Sequence, residues 1–153
     1  MAVPVRRRSS RAILLDAAGR VLLIRFSVVR NGEAFVFWAK PGGSVKVNET
    51  DLGAARREIK EELAVSVILN GPVHTSVSRF VHENALVDNT DVFFAGRLDQ
   101  TFPQLYAASR EERAAMQITR WWSCDELDQT TETTFPPDLS AVVRRLKEWS
   151  FSH

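Results

Sequence analysis

The chain has 153 residues, 44% hydrophobic and 25% charged, an ordinary globular balance with length enough for one domain with its own core. Twenty basic against nineteen acidic side chains leave a formal charge of +1, which supplies no field for gripping nucleic acid or a membrane nonspecifically. Cys124 is the only cysteine, which excludes an intrachain disulfide, and no apolar run approaches the length of a bilayer span.

Residues 1–10 carry Arg6, Arg7 and Arg8 and read as a flexible, solvated lead-in; with Arg11 they interrupt the start too early for a signal peptide, so the cytoplasm is the expected location. Residues 11–16 and 21–26 are short apolar runs joined by Ala17–Arg20, the pattern of two antiparallel strands. A third, aromatic-rich strand over 34–39 is ended by Pro41-Gly42-Gly43. The period then changes. Leu52, Ala55, Ile59 and Leu63 recur at helical spacing, with Thr50 as N-cap and Asp51 suited to the positive end of the helix dipole.

Residues 65–69 and 73–81 read as strand, with Gly71-Pro72 as a bend or bulge, and 91–98 as another. Residues 100–116 read as a loop with a helical stretch around Glu111–Met116, and 118–123 as a short strand. Cys124–Leu127 is a helical turn, and Pro136-Pro137 opens a last helix whose Leu139, Val142, Val143, Leu146 and Trp149 share a face. No repeat or linker divides residues 1–153. The order β-β-β-α-β-β-β-α implies an α/β fold, a mixed sheet sandwiched by helices.

The informative segment is 43–65, GSVKVNETDLGAARREIKEELAV. On a helix turning about 100° per residue, Glu58, Glu61 and Glu62 fall in one sector of roughly 100°, beside the apolar stripe and not opposite it. Like charges at i,i+4 cost an isolated helix a few tenths of a kcal/mol. Glu58 over Glu62 and Arg56 over Lys60 therefore segregate charge where solubility alone would alternate it. Hard oxygen ligands converging from one face suit Mg²⁺ or Mn²⁺.

Gly43, Glu49, Arg57-Glu58-Ile59, Glu61-Glu62 and Val65 occur at the spacing of the Nudix box, matching eight of its nine specified positions, with Ala64 in place of the usual glycine. The segment thus resembles that of Nudix hydrolases, and the preceding Pro-Gly-Gly and the paired strands at 11–26 extend the likeness. The resemblance implies a Nudix-like α/β/α sandwich and Mg²⁺-dependent attack of water on a diphosphate linkage, with Mn²⁺ as a substitute. It implies Glu58 and Glu62 as principal metal ligands and Glu61 as a third ligand or a proton acceptor. A backbone carbonyl of Gly42 or Gly43 would complete the shell, Arg57 would hold a box carboxylate, and Glu49 would support that network. One more acid from outside the box is expected, Asp91 first, then Glu111 or Glu112. Candidates for stacking a base are Phe26, Phe37, Phe80 and Trp121.

Two departures bear on the site. Ala64 would pay about 1–2 kcal/mol for the left-handed turn that glycine makes freely, which leaves the helix exit open to another route. In the loop often reading Glu-x-Gly-Glu, this chain has Lys46-Val47-Asn48-Glu49, one acid fewer. Gly53 costs the helix roughly 1 kcal/mol relative to alanine, which suggests a close packing contact.

Downstream markers of the NADH pyrophosphatase, ADP-ribose and dinucleoside polyphosphate subfamilies are absent, leaving a nucleoside triphosphate or another nucleoside diphosphate derivative open. The expected partner is a small nucleotide-like molecule, with no membrane or nucleic acid, and pairing into a homodimer stays open. The competing reading is a non-catalytic nucleotide-binding or regulatory module, against which the intact acidic trio argues. An isoprenoid diphosphate isomerase would need a cysteine near the site, and Cys124 lies well downstream.

Overall fold

In the computed structural model, residues 3–82, 84–106 and 115–152 are described, with side chains at 30, 82 and 147–152 excepted. The strands are β1 (Val5–Leu15), β2 (Val21–Arg30), β3 (Glu33–Ala39), β4 (Gly42–Ser44), β5 (Leu69–His82), β6 (Ala85–Arg97), β7 (Met116–Trp122) and β8 (Thr134–Phe135). The helices are α1 (Asp51–Leu63), α2 (Cys124–Gln129) and α3 (Leu139–Ser152). One mixed sheet runs in the order β5-β6-β1-β2-β3-β8, with β4 paired to β1 and β7 to β2. The β1–β6 and β3–β8 pairs are parallel and the others antiparallel.

Side-chain alternation along the central strands builds two cores. Ala12, Leu14, Leu22, Val92, Phe94 and Trp121 pack on one side with Ala55, Ile59 and Leu63 of α1. Their neighbours Ile13, Val21, Leu23, Phe93 and Trp122 point the other way. They meet Cys124 and Leu127 of α2 and Leu139, Val142 and Val143 of α3. Helices therefore cover both faces, as expected of an α/β/α sandwich.

Several local readings need correcting. Residues 5–10 are strand and no lead-in, because β1 pairs in parallel with β6 from Val5↔Val87 to Leu15↔Arg97. The arginines at 6–8 hide this, since a strand whose side chains are exposed has no apolar alternation to read. Pro41-Gly42-Gly43 does end β3, at Ala39, but Gly42 and Gly43 also start a further short strand that pairs with Arg11 and Ser10. Residues 64–68 are not strand, and β6 begins at Ala85, six residues before 91. The register shift at Asn70/His74 places the irregularity at Gly71-Pro72, as their turn chemistry indicates. Residues 107–114, and with them most of the expected helical stretch, lie outside the described residues, as does the side chain of Trp149.

Candidate active site

Helix α1 is fastened at its start to β1. Thr50 is extended and its Oγ1 accepts the Gly53 N–H at 3.0 Å. A Cβ on Gly53 would press on that same hydroxyl at 3.0 Å, which is the close contact its glycine suggests. Arg8 grips Asp51 through Nε and Nη2, both at 2.7 Å, and the Ser10 hydroxyl donates to the Asp51 carbonyl at 2.6 Å. At the other end Ala64 does take the left-handed turn, with φ 55° and ψ 35°, and its N–H reaches the Lys60 carbonyl at 3.0 Å. The exit thus follows the route a glycine would give, and the alanine carries the strain.

The acidic residues of α1 separate into two kinds. Glu58 and Glu62 are buried beside the β4 turn, whereas the Glu61 side chain stays 33% exposed. Gly43 makes room for Glu58: a Cβ there would lie 2.5 Å from its Oε1. Gly42 sits at φ 147°, a conformation open to glycine, and a Cβ would collide with the Ser10 carbonyl. Gly42 also turns its N–H toward Glu62, at 3.4 Å from Oε2.

Burial first, and then the charge of Glu58, push the Glu62 carboxyl well above the ordinary carboxylate range, with a hydrogen bond between the two side chains adding to the effect. Ionising Glu62 in that desolvated corner is therefore costly, and a cation bound there would offset the cost.

Arg57 organises the entrance. Its Nε and Nη2 bind Glu49 at 2.7 and 3.0 Å, Nη1 reaches Glu58 at 2.9 Å and Glu61 at 3.3 Å, and Nη2 also donates to the Ser44 carbonyl at 3.0 Å. The hydrogen bond from Arg57, helped by the Lys46 N–H, holds the Glu49 carboxyl down at about 2. Asn48 adopts φ 66°, a left-handed conformation that asparagine tolerates, in the turn that brings the Lys46 N–H to Glu49.

Asp91 does not join the carboxylate pair directly. Its Oδ2 accepts from Asn89 Nδ2 at 3.0 Å and its Oδ1 lies 3.5 Å from Arg11 Nε, and the charge of Arg11 in turn reaches Glu62. Glu111 and Glu112 lie outside the described residues. Among the described residues no three His, Cys, Asp or Glu side chains form a ready cage for an ion.

Phe26 and Phe37 stack at 5.3 Å and 15°, joined by Phe35 and by Phe135, whose ring meets Phe37 edge-on at 5.5 Å. Phe80 stands apart on β5 opposite Val87, and Trp121 is buried in the core under α1. Arg6, Arg7 and Arg8 line an open cleft of about 730 Å³ with Val77 and Arg79, none of whose lining residues is an α1 carboxylate.

Lys40 near this site carries no signal in the sequence, whereas Arg11 belongs to the basic cluster Arg6, Arg7, Arg8 and Arg11, for which a phosphate-contacting arm is the lesser reading beside a solvated lead-in. Lys40, one residue before Pro41, is 2% exposed and donates to the Phe135 carbonyl at 2.8 Å.

A mixed sheet thus lies between helices, with a glycine turn set against paired acids on one helix edge. The chain belongs to the Nudix family, for a sequence model of the NUDIX domain matches residues 5–148. Solved structures with the same fold include the MutT protein of Methanosarcina mazei Go1, at 16% identity and TM-score 0.69, covering 98% of this chain and 99% of that one. A mutT/nudix family protein from Listeria innocua aligns at 19% identity and TM-score 0.68, covering 98% of each chain. A C. elegans Ap4A hydrolase aligns at 14% identity and TM-score 0.65, covering 96% and 99%. No curated protein matches the chain in sequence.

Proposed function

We propose that this chain hydrolyses a diphosphate linkage in a nucleoside triphosphate or another nucleoside diphosphate derivative, with Mg²⁺ or Mn²⁺ held by Glu58 and Glu62. The observation that carries the reading is the buried pair, Glu58 against Gly43 and Glu62 against the N–H of Gly42. Mg²⁺ commonly binds one or two carboxylates together with substrate phosphates, so a pair without a third acid fits an ion that arrives with its substrate. The bound ion would supply positive charge against the phosphate oxygens and make water more acidic.

Each remaining residue then has a part. Arg57 fixes Glu58 and Glu61 in orientation, and Glu49 keeps Arg57 in place through two bonds. Glu61, part exposed and turned to Arg57, is better placed to accept the proton of the attacking water than to be a third ligand. The half-buried Phe26–Phe37 stack offers a flat apolar surface for a base. The Ap4A hydrolase and a dihydroneopterin triphosphate pyrophosphohydrolase of E. coli share this fold, so nucleotide-like phosphate esters are the class to try.

The test is a screen of nucleoside triphosphates and diphosphate derivatives with Mg²⁺ and with Mn²⁺, scored by liberated mono- and diphosphate. Metal-dependent release is expected for at least one. Tight binding without turnover would instead make the chain a binding module.

A further inference from the structure

Two guanidinium groups stand by the carboxylate pair, and their donors are used very differently. Arg57 is saturated by Glu49, Glu58, Glu61 and the Ser44 carbonyl. Arg11 makes, among the described residues, two hydrogen bonds near the outer limit of the interaction, to Asp91 at 3.5 Å and to the Lys40 carbonyl at 3.4 Å. A guanidinium carries five N–H donors in a planar fork. Beside the same helix, Arg8 closes that fork on Asp51 and Arg57 closes it on Glu49. Arg11 does not.

Its place in the fold is equally pointed. Arg11 lies on β1 with its backbone against Gly42, where a Cβ on the glycine would meet Arg11 Cα at 2.7 Å. The N–H of that glycine faces Glu62, and the Arg11 charge reaches both Glu62 and Lys40. The side chain is 25% exposed, so solvent, and anything arriving from solvent, can reach it. The Lys40 carbonyl that steadies Arg11 is itself anchored, because the Lys40 ammonium bonds the Phe135 carbonyl and lies 4.6 Å over the Phe93 ring.

We propose that Arg11 binds a phosphate group of the diphosphate substrate, next to the ion held by Glu58 and Glu62, with Asp91 and the Lys40 carbonyl keeping its guanidinium aimed until the phosphate arrives. This rests on the function proposed above. Asp91 is then a positioning residue and not a metal ligand, which accounts for its being held by Asn89 and Arg11 rather than by the carboxylate pair. A phosphate oxygen pair would satisfy the fork that the long Asp91 contact leaves open.

The test is calorimetric titration of the full chain, with Mg²⁺ present, by α,β-methylene ADP, a diphosphate that cannot be cleaved at that bridge. Arg11→Gln is expected to weaken its binding about 10- to 100-fold, the effect of losing hydrogen bonds to a charged group. Arg11→Lys, which keeps the charge and loses the fork, is expected to fall between the two. Asp91→Asn is expected to cost only a few-fold. Mg²⁺ affinity measured without nucleotide should change by no more than a few-fold in all three, well short of the loss of analogue binding in Arg11→Gln.

Wild-type affinity for the analogue in both Arg11 variants overturns the proposal. So does a loss of Mg²⁺ affinity in Arg11→Gln as large as its loss of analogue affinity, for the residue would then act through the carboxylates. If the unmodified chain binds neither Mg²⁺ nor the analogue, the proposed function itself fails, and the role of Arg11 with it.

Discussion

Replacing Glu62 by glutamine tests the carboxylate pair from both stability and activity. Because burial and Glu58 keep a proton on Glu62, the folded carboxyl has a raised pKa, whereas the unfolded chain ionises it near the ordinary 4.5. The folded state therefore binds more protons than the unfolded one above that pH, and stability falls as pH rises. The slope is about 1.4 kcal/mol per pH unit, so between pH 4.5 and 7 the metal-free protein loses about 3 kcal/mol through this group. An amide has the same shape and does not titrate. Metal-free Glu62→Gln should thus match the wild type near pH 4.5 and exceed it by about 3 kcal/mol at pH 7. The assay is urea unfolding at several pH values in chelator, taking the difference between the two proteins so that other groups cancel. Saturating Mg²⁺ should stabilise the wild type at pH 8 and leave the variant unmoved, and turnover of any substrate found should fall by several orders of magnitude. A variant less stable than the wild type at pH 7, or a difference independent of pH, would refute the account of a shared, desolvated corner.

Gly43→Ala places a methyl 2.5 Å from Glu58 Oε1, so the flexible carboxylate must shift while the fold stands. Turnover should drop about 100-fold or more with little change in melting temperature, read by a rate assay beside thermal unfolding. Ala64→Gly relieves the left-handed strain at the end of α1 and should stabilise the chain by about 0.5–1 kcal/mol after the entropy of the added glycine is subtracted, measured by denaturant unfolding. Mg²⁺ alone should bind weakly to a two-carboxylate site and more tightly once α,β-methylene ADP is present, a coupling that titrations in either order must report equally. Equal Mg²⁺ affinity with and without the analogue would show that the ion does not depend on phosphate oxygens.

The acidic helix announced itself because its signal is local. The bounds of α1 follow from Thr50, the apolar stripe and the box spacing, all within about twenty residues of one another. The same spacing placed Glu58 and Glu62 side by side, because a helix converts sequence distance directly into geometry, whereas the tie between Arg57 and Glu49 was implied only by the resemblance of the box. The short apolar run at 21–26 and the aromatic-rich run at 34–39 were likewise legible as strands, within β2 and β3.

What only the tertiary structure decided came from pairings between distant segments. Residues 5–10 are strand because β6, some eighty residues on, lies alongside them, and nothing in three exposed arginines records that. The same parallel pairing brings Asp91 to the side of Arg11, and the turn into β4 lays Gly42 on Arg11 and so beside Glu62. A local pattern names the groups that can bear charge on one helix edge. Which group from another strand completes the corner, and whether it is saturated or left with open donors, depends on long-range contacts for which a single sequence carries no period.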